Sequence, residues 1–337
     1  MNQVERFFAS TYPENTFNDV LLIFLKKQSQ KISEHTVSRL FYNLRPIGEE
    51  LGNPDIRELD RNWVKKYVDK LWLRYAPDTM RTKVGDIRQF FKWCKKKGYL
   101  SKNIAKRIKP LRRRHRHRRV KAASEADVRQ LIGHLARKTK HRVYRDLFGT
   151  LQAAPKHEWS NQEIKYLRDL FIVIFLYETG ARAGELSTLG SYTMTHVVEN
   201  VAPSYTITVI GKTDDRDYMF TNRTAELWRV WQQVRPSRCQ EYAVIGWGKA
   251  HPHSRIKTNG ISQMLVRRCE ESEIRPFRAH ALRHAKVKRG RHLVGLEITS
   301  QLIDHSRIDT TRGYANIDED ELATAAVKTG LQYDPWE

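Results

Sequence analysis

Long apolar runs are missing from this chain. The longest, Leu170 to Tyr177, falls well short of the roughly 20 residues that a membrane-spanning helix needs. The N-terminus has charged and polar residues where a secretory signal would need an apolar core. Cysteine is scarce: there are three, Cys94, Cys239 and Cys269, with no paired spacing. That argues against a disulfide framework or a zinc knuckle and fits a reducing compartment. His115 and His117, and His251 and His253, come without suitably spaced Cys, Asp or Glu, so no metal site is expected. No P-loop or dinucleotide fingerprint occurs, and no cofactor is expected. These absences predict a soluble, intracellular protein with no membrane partner.

Acid is also in short supply relative to base. The 337 residues hold 61 Lys+Arg against 38 Asp+Glu, a formal net charge of +23. So large a charge repels itself in a folded chain, and a polyanion that neutralises it is the natural partner. DNA or RNA fits, because neutralised phosphates release counterions. Hydrophobic residues make up 40% of the chain, enough for a core in each of two domains.

The first hundred residues carry helical stripes. Trp63, Val64, Tyr67, Val68 and Leu71 recur at three- and four-residue spacing, as do Met80, Val84, Ile87, Phe91 and Cys94. Val37, Leu40, Phe41 and Leu44 form a shorter stripe after a cap at Ser33. This predicts a bundle of four or so helices over residues 1–110, with basic outer faces. Residues 106–123 then read as a basic interdomain linker. Its cations are Lys106, Arg107, Lys109, Arg112, Arg113, Arg114, Arg116, Arg118, Arg119 and Lys121, which suit contact with a phosphate backbone.

A second domain is predicted over residues 124–337. Ser124 and Asp127 ahead of Val128, Leu131 and Ile132 form a capping pattern. Leu170–Tyr177 is apolar all round, as in a buried helix. Tyr205–Ile210 and Asp217–Phe220 read as strands joined by a turn at Thr213, Asp214 and Asp215. Helical patterns return over Ala225–Val234 and Ile261–Cys269. The fold class expected is mainly α with a small β-hairpin or sheet (α+β).

Four short motifs carry the chemistry. Residues 179–186 read Thr-Gly-Ala-Arg-Ala-Gly-Glu-Leu, and a helix would put Arg182 and Glu185 on one face. Lys212 sits at the hairpin tip. His280 and Arg283 share a face if 280–284 is helical. His305 and Tyr314 follow in the last motif.

In this order, T-G-A-R-x-x-E-L, I-G-K, H-x-x-R-H and H-S-x-I-x-T-T-x-x-Y, the chain resembles the tyrosine recombinase/integrase family, which includes phage integrases and Xer recombinases. The resemblance covers Ser124 to Tyr314 well and the N-terminal helical part loosely, through Phe90–Trp93 and Tyr99–Ala105. It implies a core-binding helical domain and a catalytic domain. It also implies site-specific integration, excision or resolution of DNA through a 3′-phosphotyrosine and a Holliday junction, without metal or ATP. Arg182 and Arg283 would grip the scissile phosphate, and Glu185 would support Arg182. Lys212 would protonate the leaving 5′ oxygen and His280 would act as base or acid. His305 would donate to the phosphate, and Tyr314 would be the nucleophile. Implied partners are duplex DNA with paired inverted sites, a homotetramer on that DNA, and accessory DNA-bending factors. In a prokaryotic or viral setting the protein would be cytoplasmic and nucleoid-associated.

The family's C-terminal tail docks on a neighbouring protomer. Leu322, Ala325, Ala326 and Leu331 would supply its apolar stripe, although packing on its own domain is the alternative. Three departures stand out. Asp304 replaces the usual glycine before His305. Asp214 and Asp215 occupy hairpin positions that are often glycine and a basic or polar residue. The segment His134 to Glu163 is longer than in compact members. A type IB topoisomerase, a telomere resolvase and a DNA-binding protein without catalysis stay open.

Overall fold

In the N-terminal part, apolar side chains recur with the helical period and fold into five helices. They are α1 (Gln3–Ala9), α2 (Phe17–Ser29), α3 (Glu34–Glu50), α4 (Arg61–Trp72) and α5 (Pro77–Lys96). The computed structural model describes residues 3–108, 122–139, 141–196, 198–200, 204–209, 215–236, 241–247, 252–303 and 319–336. The chain forms two compact units, Met1–His117 and Arg118–Glu337.

In the first unit the predicted stripes face inward. Val64, Tyr67, Val68 and Leu71 of α4 and Met80, Val84, Ile87, Phe91 and Cys94 of α5 are buried. Each such large apolar side chain contributes about 1.5–3 kcal/mol on burial. The most apolar helix is α2, through Phe17, Val20, Leu21, Leu22, Phe24 and Leu25, and it raises the count from the expected four or so to five. Its side chains are apolar over so much of the circumference that no narrow stripe marks it. Two details differ from expectation at α3. The helix runs through Pro46 to Glu50, beyond the predicted stripe. Ser33 is its N-cap residue, but the Ser33 hydroxyl pairs with Thr36 Oγ1 at 3.0 Å and caps no backbone N–H. Buried Asp86 on α5 accepts from Asn43 at 2.7 Å and Arg39 at 3.1 Å on α3, fixing the pair in register.

The second unit is built around one buried helix. It opens with α6 (Glu125–Arg137), where Ser124 Oγ accepts from the Asp127 N–H at 3.0 Å as the capping pattern predicts. The segment after His134 forms a hairpin of β1 (Val143–Arg145) and β2 (Leu151–Ala153). A capping box of Ser160 and Glu163 then starts α7 (Asn161–Thr179). From Leu167 to Thr179 every residue of α7 is buried, so the apolar run is a central core helix. Two short helices follow, α8 (Ala183–Thr188) and α9 (Ser191–Thr195).

An antiparallel sheet of β3 (Val198–Glu199), β4 (Ser204–Val209) and β5 (Arg216–Thr221) comes next, in the order β3-β4-β5. The β4–β5 pair is the predicted hairpin, with Val209 opposite Arg216. The edge strand β3 is an addition, two exposed residues too few to show a period. Then come α10 (Asn222–Val234), the pair β6 (Ile245–Trp247) and β7 (Pro252–Arg255), α11 (Thr258–Glu271), α12 (Ala279–Leu293), α13 (Gly295–Leu302) and α14 (Glu319–Thr329). α6, α10 and α12 pack against α7. Buried Asp169 on α7 pairs with neighbouring Arg168 and, at 2.8 Å, with Arg268 on α11, which fixes α11 against the core helix.

In the single chain α14 lies on its own unit, with Leu322, Ala325 and Ala326 packed among Leu302, Met219, Val294 and Ile298. Polar anchors hold its end. Buried Glu178 accepts the Leu331 N–H at 3.1 Å, and the Lys286 ammonium donates to Thr329 Oγ1 at 2.7 Å. Leu331 follows the helix instead of extending its stripe. No helix of the described residues is long and apolar enough to cross a membrane.

Candidate active site

The site forms where the core helix stops. Gly180 ends α7 with φ 66°, a left-handed conformation that side chains disfavour. A Cβ there would also meet Ile303 Cγ2 at 2.9 Å. The turn brings Arg182 to the N-cap position of α8.

Arg182 and Glu185 pair, but not as two residues on a helix face. Arg182 lies outside the helix, with extended backbone, and Glu185 is the third residue within it. One carboxylate oxygen accepts the Arg182 backbone N–H at 2.7 Å, and the other accepts its guanidinium at 2.8 Å. The spacing is as predicted; the geometry is that of a helix start, where free N–H groups recruit a carboxylate. Burial alone would raise the Glu185 carboxyl. The hydrogen bonds from Arg182 and from Tyr218 outweigh that and hold it below the usual range. Glu185 is buried, while the Arg182 side chain keeps 43% exposure. One end of this arginine is therefore fixed and the other is open to solvent.

Arg283 is placed differently. His280 and Arg283 lie on α12, one turn apart as expected. Arg283 is buried and donates to two backbone carbonyls, Gly180 O at 2.5 Å and Ile303 O at 2.9 Å. It thus joins the end of the core helix to the last described residue before the segment that holds His305 and Tyr314. Burial lowers its pKa and Arg182 adds to the drop, while the Tyr218 hydroxyl and Glu185 act the other way. The His280 ring meets His284 edge-on at 4.4 Å. Partial burial, then the charges of His284, Arg283 and Arg182, lower its pKa from the ordinary 6.5. His280 is therefore neutral at pH 7 and able to accept a proton.

Two residues that the sequence did not single out complete the cluster. Tyr218 is fully buried on β5, and its hydroxyl donates to Glu185 at 2.7 Å. Burial and the adjacent carboxylate push the phenol up to about 12. Arg216 on the same face has its Nε 3.7 Å from the other Glu185 oxygen. A signal was present: Arg216, Tyr218 and Phe220 alternate along the returning strand, which puts a cation and a phenol on its buried face.

A family model for the phage integrase family matches residues 143–321, just over half of the chain. The chain belongs to that family. It is a tyrosine recombinase, an enzyme of site-specific DNA recombination. Its fold agrees with solved members. A lambda integrase (75–356) dimer bound to a COC′ core site superposes with a TM-score of 0.60 at 11% identity, covering 90% of this chain and all of that one. XerH bound to palindromic difH superposes at 0.59 and 13% identity, over 97% of this chain and 90% of that one. A lambda integrase tetramer bound to a Holliday junction gives 0.57 and 12%, over 90% and 81%. No curated protein matches the recombinase.

Thus Arg182, Glu185, His280 and Arg283 come from α7's end, α8 and α12. Lys212, His305, Tyr314 and the departures Asp304 and Asp214 lie outside the described residues, as do Lys109–Lys121 of the linker. Lys106 and Arg107 are described and exposed. His115, His117 and His251 also lie outside, as does the side chain of His253. Among the described residues no group of three or more His, Cys, Asp or Glu could hold a metal.

Proposed function

We propose that this recombinase cuts and rejoins duplex DNA through a transient bond to Tyr314. What carries the reading is the Arg182–Glu185–Arg283 cluster, which presents one exposed and one buried guanidinium beside His280 in a chain with the family's tyrosine motif. Two guanidiniums hold the non-bridging oxygens of a scissile phosphate with fixed fork geometry and offset the charge of its transition state. The Tyr314 hydroxyl passes its proton to His280 and its oxygen bonds to phosphorus. The bond from phosphorus to the 5′ oxygen breaks, and Lys212 protonates that oxygen. His305 donates to the phosphate. The 3′-phosphotyrosine conserves the bond energy, so a free 5′-hydroxyl of another strand restores the backbone without ATP.

Residues 1–110 grip one face of the duplex and residues 124–337 the other, with the 106–123 linker along the phosphates. Exposed Lys106 and Arg107 begin that path. Four copies act on two paired inverted sites through a Holliday junction, with tails exchanged between neighbours. Accessory DNA-bending factors are further partners of this assembly. The protein works inside the cell, on cytoplasmic DNA.

The test is a plasmid carrying two copies of the repeats that flank the gene. The recombinase yields deletion or inversion products and four-way junctions. Relaxed topoisomers alone, on any supercoiled plasmid, would instead mark a type IB topoisomerase.

A further inference from the structure

We propose that Tyr218 is a positioning residue that sets Arg182 through Glu185, a role that rests on the recombinase reading above. The Glu185 carboxylate has three close donors: the Arg182 N–H at 2.7 Å, the Arg182 guanidinium at 2.8 Å and the Tyr218 hydroxyl at 2.7 Å. A phenol has one proton to give. Here that proton goes to Glu185, so Tyr218 holds the carboxylate that orients the exposed arginine.

The surroundings make this contact rigid. Tyr218 is fully buried and stands opposite Ile207 in the β4–β5 ladder, so its ring cannot swing. Its raised pKa keeps it a donor at any pH the DNA tolerates. Arg216 adds a reason for the hydroxyl. Its Nε is 3.7 Å from the Glu185 oxygen that Arg182 uses. Without the Tyr218 bond the carboxylate is freer to turn toward Arg216, and Arg182 then loses its guide.

Tyr218→Phe keeps the ring and removes the hydrogen bond. With enzyme saturating over a nicked suicide duplex, we expect single-turnover cleavage to slow by on the order of tenfold to a hundredfold, the cost of a small misplacement of reacting groups. DNA affinity should stay within about twofold, because binding rests on many phosphate contacts. Combined with Glu185→Gln, the second substitution should add little, as for residues acting as a unit. Equal losses of rate and affinity, or full additivity, would reduce Tyr218 to a packing residue and overturn the proposal. If wild type forms an adduct and Tyr218→Phe cleaves as fast, the positioning role falls and the recombinase reading stands. If wild type forms no adduct, that reading falls, and ¹⁵N NMR of the arginine side chains decides on Tyr218. Positioning predicts that the Arg182 Nε–H signal moves in Tyr218→Phe; an unmoved signal would refute it.

Discussion

Lys286 is buried behind the site, on the helix that carries His280 and Arg283, and its ammonium reaches Thr329 at the end of α14. Burial pulls its pKa down from 10.5 to about 8; Glu178 works to raise it and Arg289 to lower it further. That fall corresponds to about 3 kcal/mol. The sign follows from proton counting. Between about pH 8 and 10.5 the folded chain has released this proton and the unfolded chain still holds it. The unfolded state binds more protons there, so stability rises with pH across that window. Lys286→Met has no such proton. Wild type should therefore gain about 3 kcal/mol relative to Lys286→Met between pH 7 and 10.5. For a unit of this size that is about 6–12 °C in the difference between their melting temperatures. Melts of both proteins by circular dichroism, at matched ionic strength, would measure it. Other titrating groups cancel in the comparison. A difference that stays constant within about 2 °C from pH 7 to 10.5, or one that moves the opposite way, would rule out a lowered Lys286 pKa.

Asp169→Asn should lower the melting temperature by about 6–20 °C, because it leaves Arg168 and Arg268 buried without their shared carboxylate, a loss of about 3–5 kcal/mol; a shift under about 2 °C in the same melts would contradict this. The cleavage rate should be level near pH 7 and fall only below 6.5, since the base His280 titrates below its ordinary value; a single-turnover profile with its acid limb centred above 6.5 would show that another group limits the rate. DNA affinity should fall linearly on a log–log plot against salt, with a slope of about −0.9 per phosphate engaged. A flat response in a fluorescence anisotropy titration would remove the linker from the interface.

Much of this architecture was legible because it follows periodicity and punctuation. The stripes of α4 and α5, the cap at Ser124, the apolar run of α7 and the β4–β5 hairpin each announce themselves within a few residues. The elements that escaped have no such local mark. α2 is too uniformly apolar to show a stripe, and β3 is too short to show alternation. The Arg182–Glu185 pairing was visible as a spacing, but its form depended on where α8 begins, and boundaries are weakly encoded. Tyr218 and Arg216 became site residues only when the sheet laid β5 against the start of α8. Glu178 and Leu331 likewise meet across 153 residues of sequence, and Lys286 and Thr329 across 43, and no spacing rule joins them. The tail's apolar residues were correctly seen as a packing face. Which surface they cover depends on polar anchors that only the fold brings together.

The proposed mechanism turns on a covalent bond between Tyr314 and DNA. The direct measurement incubates the recombinase with nicked duplexes carrying the repeats beside its gene, in EDTA, and resolves the products on a denaturing gel. A protein–DNA adduct is expected with wild type, none with Tyr314→Phe, and equal DNA binding by both. An adduct that persists in Tyr314→Phe, or an adduct that requires added metal, would contradict that mechanism.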